Sequence, residues 1–440
     1  MLPRFRRGFL LAAILLAGLL LVSCGGGEEV SETPAATQPT GAGTPGAQKV
    51  PGVTDTEILI GANFPLSQSQ ASAYAVIADA MRAYFDYINE TEGGVYGRKI
   101  RFLVGDDHYN PADAVEVIRR LVEQDHVFAI VGGLGDPTQL AVIDYLEEQG
   151  VPNLFLGGGT VKFTEPVVKT RTATTLDYGT EVKAMAEYIK ENYSGKKMGI
   201  VYQGDTAGTS AMEMMTEALK DSDIEIVSRQ SYDFTQGDLT AQMQRLKTDN
   251  PDFVDLMANP SAAASAIKVA REVLSWDVPF ILSAVSANEF TILLGGAENV
   301  EGAVSATSGK MISEKDDAGV QRHIEIMNKY APSVPPSSLT MYGTTVAELF
   351  VQAVKNAGPD LTRESVVEGA ESIRDFCCLG CAAPVSLSPT DHRPLETVWM
   401  QRAESGQWVR FGDPMSYEST PGEVVTCKGA GEPVYAGEGE

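Results

Sequence analysis

The chain has 440 residues and a formal net charge of −25, with 59 Asp and Glu against 34 Lys and Arg. An acidic surface repels phosphate backbones, and no Lys/Arg-rich block follows the first few residues, so no nucleic-acid partner is expected. Between the two terminal stretches lie roughly 370 residues, too many for one core and enough for two lobes.

Arg4, Arg6 and Arg7 precede an uncharged run over residues 9–22, short for a membrane span, so residues 1–24 are read as a secretory signal. The run closes on "LVSC", which resembles the lipobox of bacterial lipoproteins. That resemblance implies that Cys24 becomes a lipid-modified N-terminus, mooring an extracytoplasmic protein to the cell membrane, in the periplasm or at the cell surface. Residues 25–54 are mostly Gly, Pro, Thr, Ser and Ala and bury too little to offset ordering, so a flexible tether is expected there, and a loose tail over 421–440. Beyond Cys24 the cysteines are Cys377, Cys378, Cys381 and Cys427; outside the cytoplasm an even count near one end suggests disulfides, whose pairing stays open. Cys-Cys-x-x-Cys fits no common zinc spacing and has no histidine near it, so no metal is expected.

From Glu57 the pattern alternates. "EILIGANF" is a strand run, and "AYAVIADAMRAYFDYINE" sets Ile77, Met81, Tyr84, Phe85 and Ile88 on one helical stripe. "IRFLVGDD" and "NPADAVEVIRRLVEQD" give a second strand and helix, "VFAIVGG" a third strand, "DPTQLAVIDYLEEQG" a helix and "VPNLFLGGG" a strand. A second series follows "TRTATTLDYG": helices "TEVKAMAEYIKENY", "TSAMEMMTEALKDS", "DLTAQMQRLKTD" and "AAASAIKVAREVLS" alternate with strands "KMGIVYQ", "IEIVSRQSYDF", "PDFVDLMAN" and "VPFILSAVS". Met212, Met214 and Met215 read as core filling. The expected architecture is α/β, two Rossmann-like lobes with parallel sheets flanked by helices, and ligands in such sheets sit beyond the strands' carboxyl ends.

"PLSQSQASAY", "GGVYGRKI", "GGLGDPTQLAV", "VPNLFLGGG", "LTRESVVEGAESI" and "SPTDHRPLETVWMQR" fall in an order that resembles the type I periplasmic substrate-binding proteins of ABC importers, in the leucine/isoleucine/valine-binding branch. The resemblance covers about residues 55–412. It implies two lobes joined by a three-crossing hinge, with crossings near 173–177, 303–307 and 373–378. Lobe 1 is then 55–175 with 305–375, and lobe 2 is 176–304 with 376–420. It also implies a monomer that closes on a small solute and is recognised by permease subunits.

In "GGLGDPTQLAV" a sheet end runs into a helix start. Gly133-x-Gly135 has Thr138 where a dinucleotide fingerprint needs glycine, and no Gly-Lys-Ser/Thr follows, so no nucleotide cofactor is expected. Asp136, Pro137 and Gln139 form a capping arrangement, and the same place suits ligand contact; with Asp136 turned inward as a cap, Thr138 and the backbone would face the crevice. The resemblance places further contacts at Ser67 and Tyr74, and at Gly157, Gly158, Gly159 and Thr160. On the second lobe it points to Asp205 and Ala207, to Asn259, and to Ser283 and Ala284. Relatives carry tyrosines in the first two of these loops and an acid in the third that pairs with a ligand's ammonium. Here the third reads "SAVSAN" and its first acid is Glu289, so a small amide or carboxylic acid stands beside a branched-chain amino acid as the solute. His108, His126, His323 and His392 are scattered with no nucleophile motif, so no enzymatic activity is expected, and a ligand-sensing receptor of the same fold is the alternative.

Overall fold

The computed structural model describes residues 50–417, 425–428 and 433–435. The expected signal, Cys24 and most of the tether lie outside these residues. The first sheet is built from β1 (Glu57–Phe64), β2 (Lys99–Asp106), β3 (Ile130–Val131), β4 (Asn153–Leu156) and β5 (Arg171–Ala173) in the order β2-β1-β3-β4-β5, with every pairing parallel. Between them run α1 (Ala75–Thr91), α2 (Pro111–Glu123), α3 (Asp136–Leu140) and α4 (Ile143–Glu148). The expected stripe of α1 is the face it buries, Ile77, Met81, Tyr84, Phe85 and Ile88 among it. α2 starts where Asn110 accepts hydrogen bonds from Ala112 and Asp113 ahead of a first-turn proline. The single helix expected after β3 is two, because the chain turns at Ala141 and Val142.

The second series comprises α5 (Tyr178–Asn192), β6 (Lys197–Gln203), α6 (Thr206–Leu219), β7 (Glu225–Tyr232), α7 (Thr240–Asp249), β8 (Phe253–Met257), α8 (Pro260–Lys268), β9 (Phe280–Leu282), α9 (Glu289–Gly295), α10 (Ala297–Val300) and β10 (Val304–Thr307). Three helices follow, α11 (Ala318–Tyr330), α12 (Ser338–Ala357) and α13 (Arg363–Glu371), then the hairpin of β11 (Thr397–Glu404) and β12 (Gln407–Ser416), and the short pair β13 (Val425–Cys427) and β14 (Pro433–Tyr435). The second sheet has seven strands in the order β12-β11-β10-β9-β8-β6-β7. Its β11 and β12 are antiparallel, so this sheet is mixed where a parallel one was expected.

Alternation along β8 divides the second core. Phe253 and Met257 join the cluster under α5 and α6, with Met215 fully buried in it and Met212 and Met214 at its margin, while Val254 and Leu256 face α7 and α8. In the first lobe α12 packs along α1, and Phe85, Val346, Leu349 and Phe350 are buried together, each contributing about 1.5–3 kcal/mol by leaving water. A capping box between Ser337 and Thr340 starts α12, and another between Thr362 and Ser365 starts α13.

The lobe boundaries differ in places from those expected. Thr307 ends β10 in the second sheet, so residues 305–307 belong with lobe 2. Cys378, Leu379, Cys381, Val385 and Leu387 are buried with α1 and α12, so the segment from 376 to 387 belongs to lobe 1 and the last passage into lobe 2 comes just before β11. His392, in the segment linking α13 to β11, is fully buried between the backbone oxygen of Arg171 (2.7 Å) and Glu371 (3.2 Å). At the other end, residues 50–54 are part of the fold and not of a tether: Val53 bridges Ile58, and Val50 packs on the first core. Within the expected loose tail, β13 is bound into the body by Cys377–Cys427; Cys378 pairs with Cys381.

Candidate functional site

A cavity of about 240 Å³ lies where the carboxyl ends of both sheets meet, and its lining is mostly apolar. Tyr74, Leu134, Asp136, Gly157, Gly158 and Gly159 contribute from the first lobe. Ala207, Asn259, Ser283 and Ala284 contribute from the second, and Thr174, Thr175, Thr307 and Ser308 from the connecting strands. Strand ends and helix starts converge there because parallel βα units all place their loops on one side of the sheet.

Five expected residues lie off this wall. Ser67 donates to Asp106 at 2.6 Å. Pro137 is half-buried in the first turn of α3 and is absent from the lining. Thr138 is fully buried and donates to the oxygens of Leu134 (2.9 Å) and Gly135 (3.1 Å), the reverse of the crevice-facing role expected for it. Thr160 is buried behind the glycine loop, and Asp205 caps α6 by accepting from Gly208 at 2.9 Å and from Gln203 at 2.6 Å. Asn259 lines the cavity while capping α8 through Ala262.

Asp136 does not cap its own helix. Gly135, at φ 118°, occupies the cap position, and Gln139 donates to Asn63 at 3.0 Å. The Asp136 carboxylate instead reaches across the loop, accepting from Thr160 N–H at 2.8 Å and from the Tyr178 hydroxyl at 2.9 Å. Burial pushes this carboxyl up to about 6, against the pull of those hydrogen bonds. Gly159 makes the arrangement possible, since a Cβ there would stand 2.3 Å from the Tyr178 ring.

Glu181 was not anticipated at the site. It sits in the first turn of α5, where an acid ordinarily signals only helix-dipole stabilisation. Here it is 3% exposed, lines the cavity, and accepts from Ala284 N–H at 2.9 Å, so an acid does reach the third loop, from a different element. Burial pushes it up to about 7. Lys310, also on the lining, is buried and pairs with Asp317 at 3.0 Å.

The lobes touch at the cavity rims. Ser261 donates to the Gln70 oxygen at 3.0 Å, and the rings of Tyr109 and Phe234 meet edge to face at 5.3 Å. On another side Glu289 accepts from Ser338, through N–H at 2.9 Å and the hydroxyl at 2.8 Å, at the start of α12.

Two α/β lobes sharing one cavity at their strand ends are the architecture of a solute-binding protein. The chain belongs to the periplasmic binding protein family, whose profile matches residues 57–407. A Leu/Ile/Val-binding protein homolog of Brucella melitensis is 21% identical over 70% of this chain and 81% of its own length. Among solved structures, a branched-chain amino acid ABC transporter protein from Thermus thermophilus with bound valine superposes at a TM-score of 0.75, with 20% identity over 83% of this chain and 97% of that one. A fatty acid ABC transporter substrate-binding protein from Thermomonospora curvata superposes at 0.74, with 24% identity over 85% and 96%. The family is one of extracytoplasmic solute-binding proteins and not of enzymes. Among the described residues no helix is long and apolar enough to cross a membrane, and no cluster of His, Cys, Asp or Glu could hold a metal ion.

Proposed function

We propose that the chain is the solute-binding lipoprotein of an ABC importer, closing its lobes on a small solute and presenting the closed form to a permease. The observation that carries this reading is the cavity itself, walled by both lobes and by the strands that connect them. An occupant touching both walls favours the closed arrangement, because only contacts unique to that state shift the equilibrium. The volume of about 240 Å³ lies below the roughly 300–1,000 Å³ of drug-sized pockets, which fits a solute of amino-acid scale. Moorage through Cys24 follows from "LVSC" and the basic, apolar run before it.

A thermal-shift screen of the mature protein against amino acids, short amides, amines and carboxylic acids tests the reading. A true solute at about a hundredfold its Kd adds about 2.7 kcal/mol to stability and raises the melting temperature measurably. A flat response to every class would overturn solute capture.

The Glu289 clasp supplies a second test. Glu289→Ala removes two charge-assisted hydrogen bonds made across the rim and is expected to weaken binding about fivefold, roughly 1 kcal/mol for a half-buried contact. Small-angle scattering of the unliganded variant should show a more open particle. Unchanged affinity and scattering would remove Glu289 from closure.

A further inference from the structure

At the cavity wall several backbone N–H donors are already committed, while two side-chain acceptors are not. Around the glycine loop, Gly157 N–H goes to the Gly133 oxygen at 2.8 Å, Gly158 N–H to the Thr175 hydroxyl at 3.0 Å, and Thr160 N–H to Asp136 at 2.8 Å. On the second lobe, Gly208 N–H goes to Asp205, Asn259 N–H to Tyr232, and Ala284 N–H to Glu181. These six backbone donors, which would otherwise greet an anion, are thus taken by the protein's own side chains and backbone. Lys310 is matched by Asp317, with Glu348 close enough to feel its charge.

Two acceptors on the same wall are in the opposite condition. Glu181 Oε2 is buried and has no protein partner, its other oxygen being held by Ala284. Gln401 Oε1 is likewise buried and without one, and its amide nitrogen is committed to the Ala306 oxygen at 3.1 Å. A buried acceptor left unmet is costly, and more so when it is charged, so an occupant that brings donors gains what one bringing a carboxylate would forfeit. Asp136, on the facing lobe, adds repulsion toward any anion.

Resting on the solute-capture reading above, we propose that the cavity selects a protonated amine on an apolar body, its ammonium seated on Glu181 Oε2, and turns away solutes that carry a free carboxylate. The apolar remainder of the solute lies along Val182, Met185 and Met257, which line the cavity.

Isothermal titration of the full mature protein with isoamylamine, hexylamine and benzylamine, set beside leucine, hexanoate and benzoate, tests this. The amines should bind, and the compounds with carboxylates should bind at least about tenfold more weakly, the cost of one unmet charged hydrogen bond. Glu181→Gln keeps an oxygen for Ala284 N–H and should cost the amines about tenfold in affinity, with the circular dichroism spectrum of the unliganded protein retained. The head-group ranking in the unaltered protein stands whether or not that variant folds. Leucine or a carboxylate binding more tightly than the matching amine, or amine affinity unmoved by Glu181→Gln, would overturn the proposal while leaving solute capture standing. Silence from every compound would overturn both.

Discussion

The unliganded protein is expected to melt at a higher temperature at about pH 5 than at about pH 8, by roughly 5 °C or more. Buried carboxyl groups set the sign, Asp255 among them, which burial also pushes up. Burial pushes Asp107 and Asp136 up to about 6, and Glu181 and Glu348 up to about 7, against ordinary values of 3.8 for Asp and 4.5 for Glu. Between those ordinary values and the raised ones, the folded chain holds protons that the unfolded chain has released. Stability is therefore fully present below the ordinary values and is lost as pH rises toward about 7, each group contributing on the order of 3 kcal/mol at most across its window. His323 works the other way: burial lowers it to about 4 from 6.5, so it favours the folded chain as pH rises through that interval. One histidine opposes these five carboxyls, and above its ordinary value it is silent while the two glutamates still titrate. Differential scanning calorimetry across the range checks this, and Glu348→Gln should flatten the slope. A melting temperature that is level or climbs from pH 5 to pH 8 would contradict the assignment.

Replacing both Cys377 and Cys427 with serine is expected to cost about 4 kcal/mol of unfolding free energy, whereas the same change at Cys378 and Cys381 should cost about 1.5 kcal/mol. The contrast follows from sequence separation, 50 residues against 3, since closing a longer loop removes more freedom from the unfolded chain. The larger loop contains the whole β11–β12 hairpin, so opening it also frees the edge of the second sheet. Denaturant titration of the two double variants beside the parent measures both costs, and equal losses would show that loop closure is not what the long bridge supplies.

The alternation of strand and helix was legible because apolar spacing is a local property: the stripe of α1 and the strand runs through β9 stand where the pattern put them. The break between α3 and α4 was not, since neither glycine nor proline marks Ala141 and Val142. Local pattern also says which residues are buried but not against what. The run from 376 to 387 looks equally suited to either lobe, and α12 decides the matter. The opening of α3 shows the same limit at the site. Asp, Pro and Gln in that order promise a self-contained cap, yet Tyr178 and the Thr160 backbone, distant in sequence, compete for the carboxylate and win it. Glu181 was hidden for the converse reason, because an acid in a helix's first turn is so ordinary that only its proximity to Ala284 distinguishes it. Tyr74, the glycine loop, Ala207, Asn259, Ser283 and Ala284 do line the cavity, while Ser67, Thr138 and Thr160 turn their side chains to the protein interior or to neighbouring acids.

The order of the elements along the chain carries a practical corollary. Helices α11 and α12 pack with α1 and α13 packs on α12, yet all three are translated after β10, and the hairpin that completes the other sheet comes later still. Neither half of the molecule is therefore a continuous stretch of polypeptide, and no single truncation of the coding sequence would release one half intact. Dissecting the two halves would call for a permuted gene in which the interleaved pieces are rejoined.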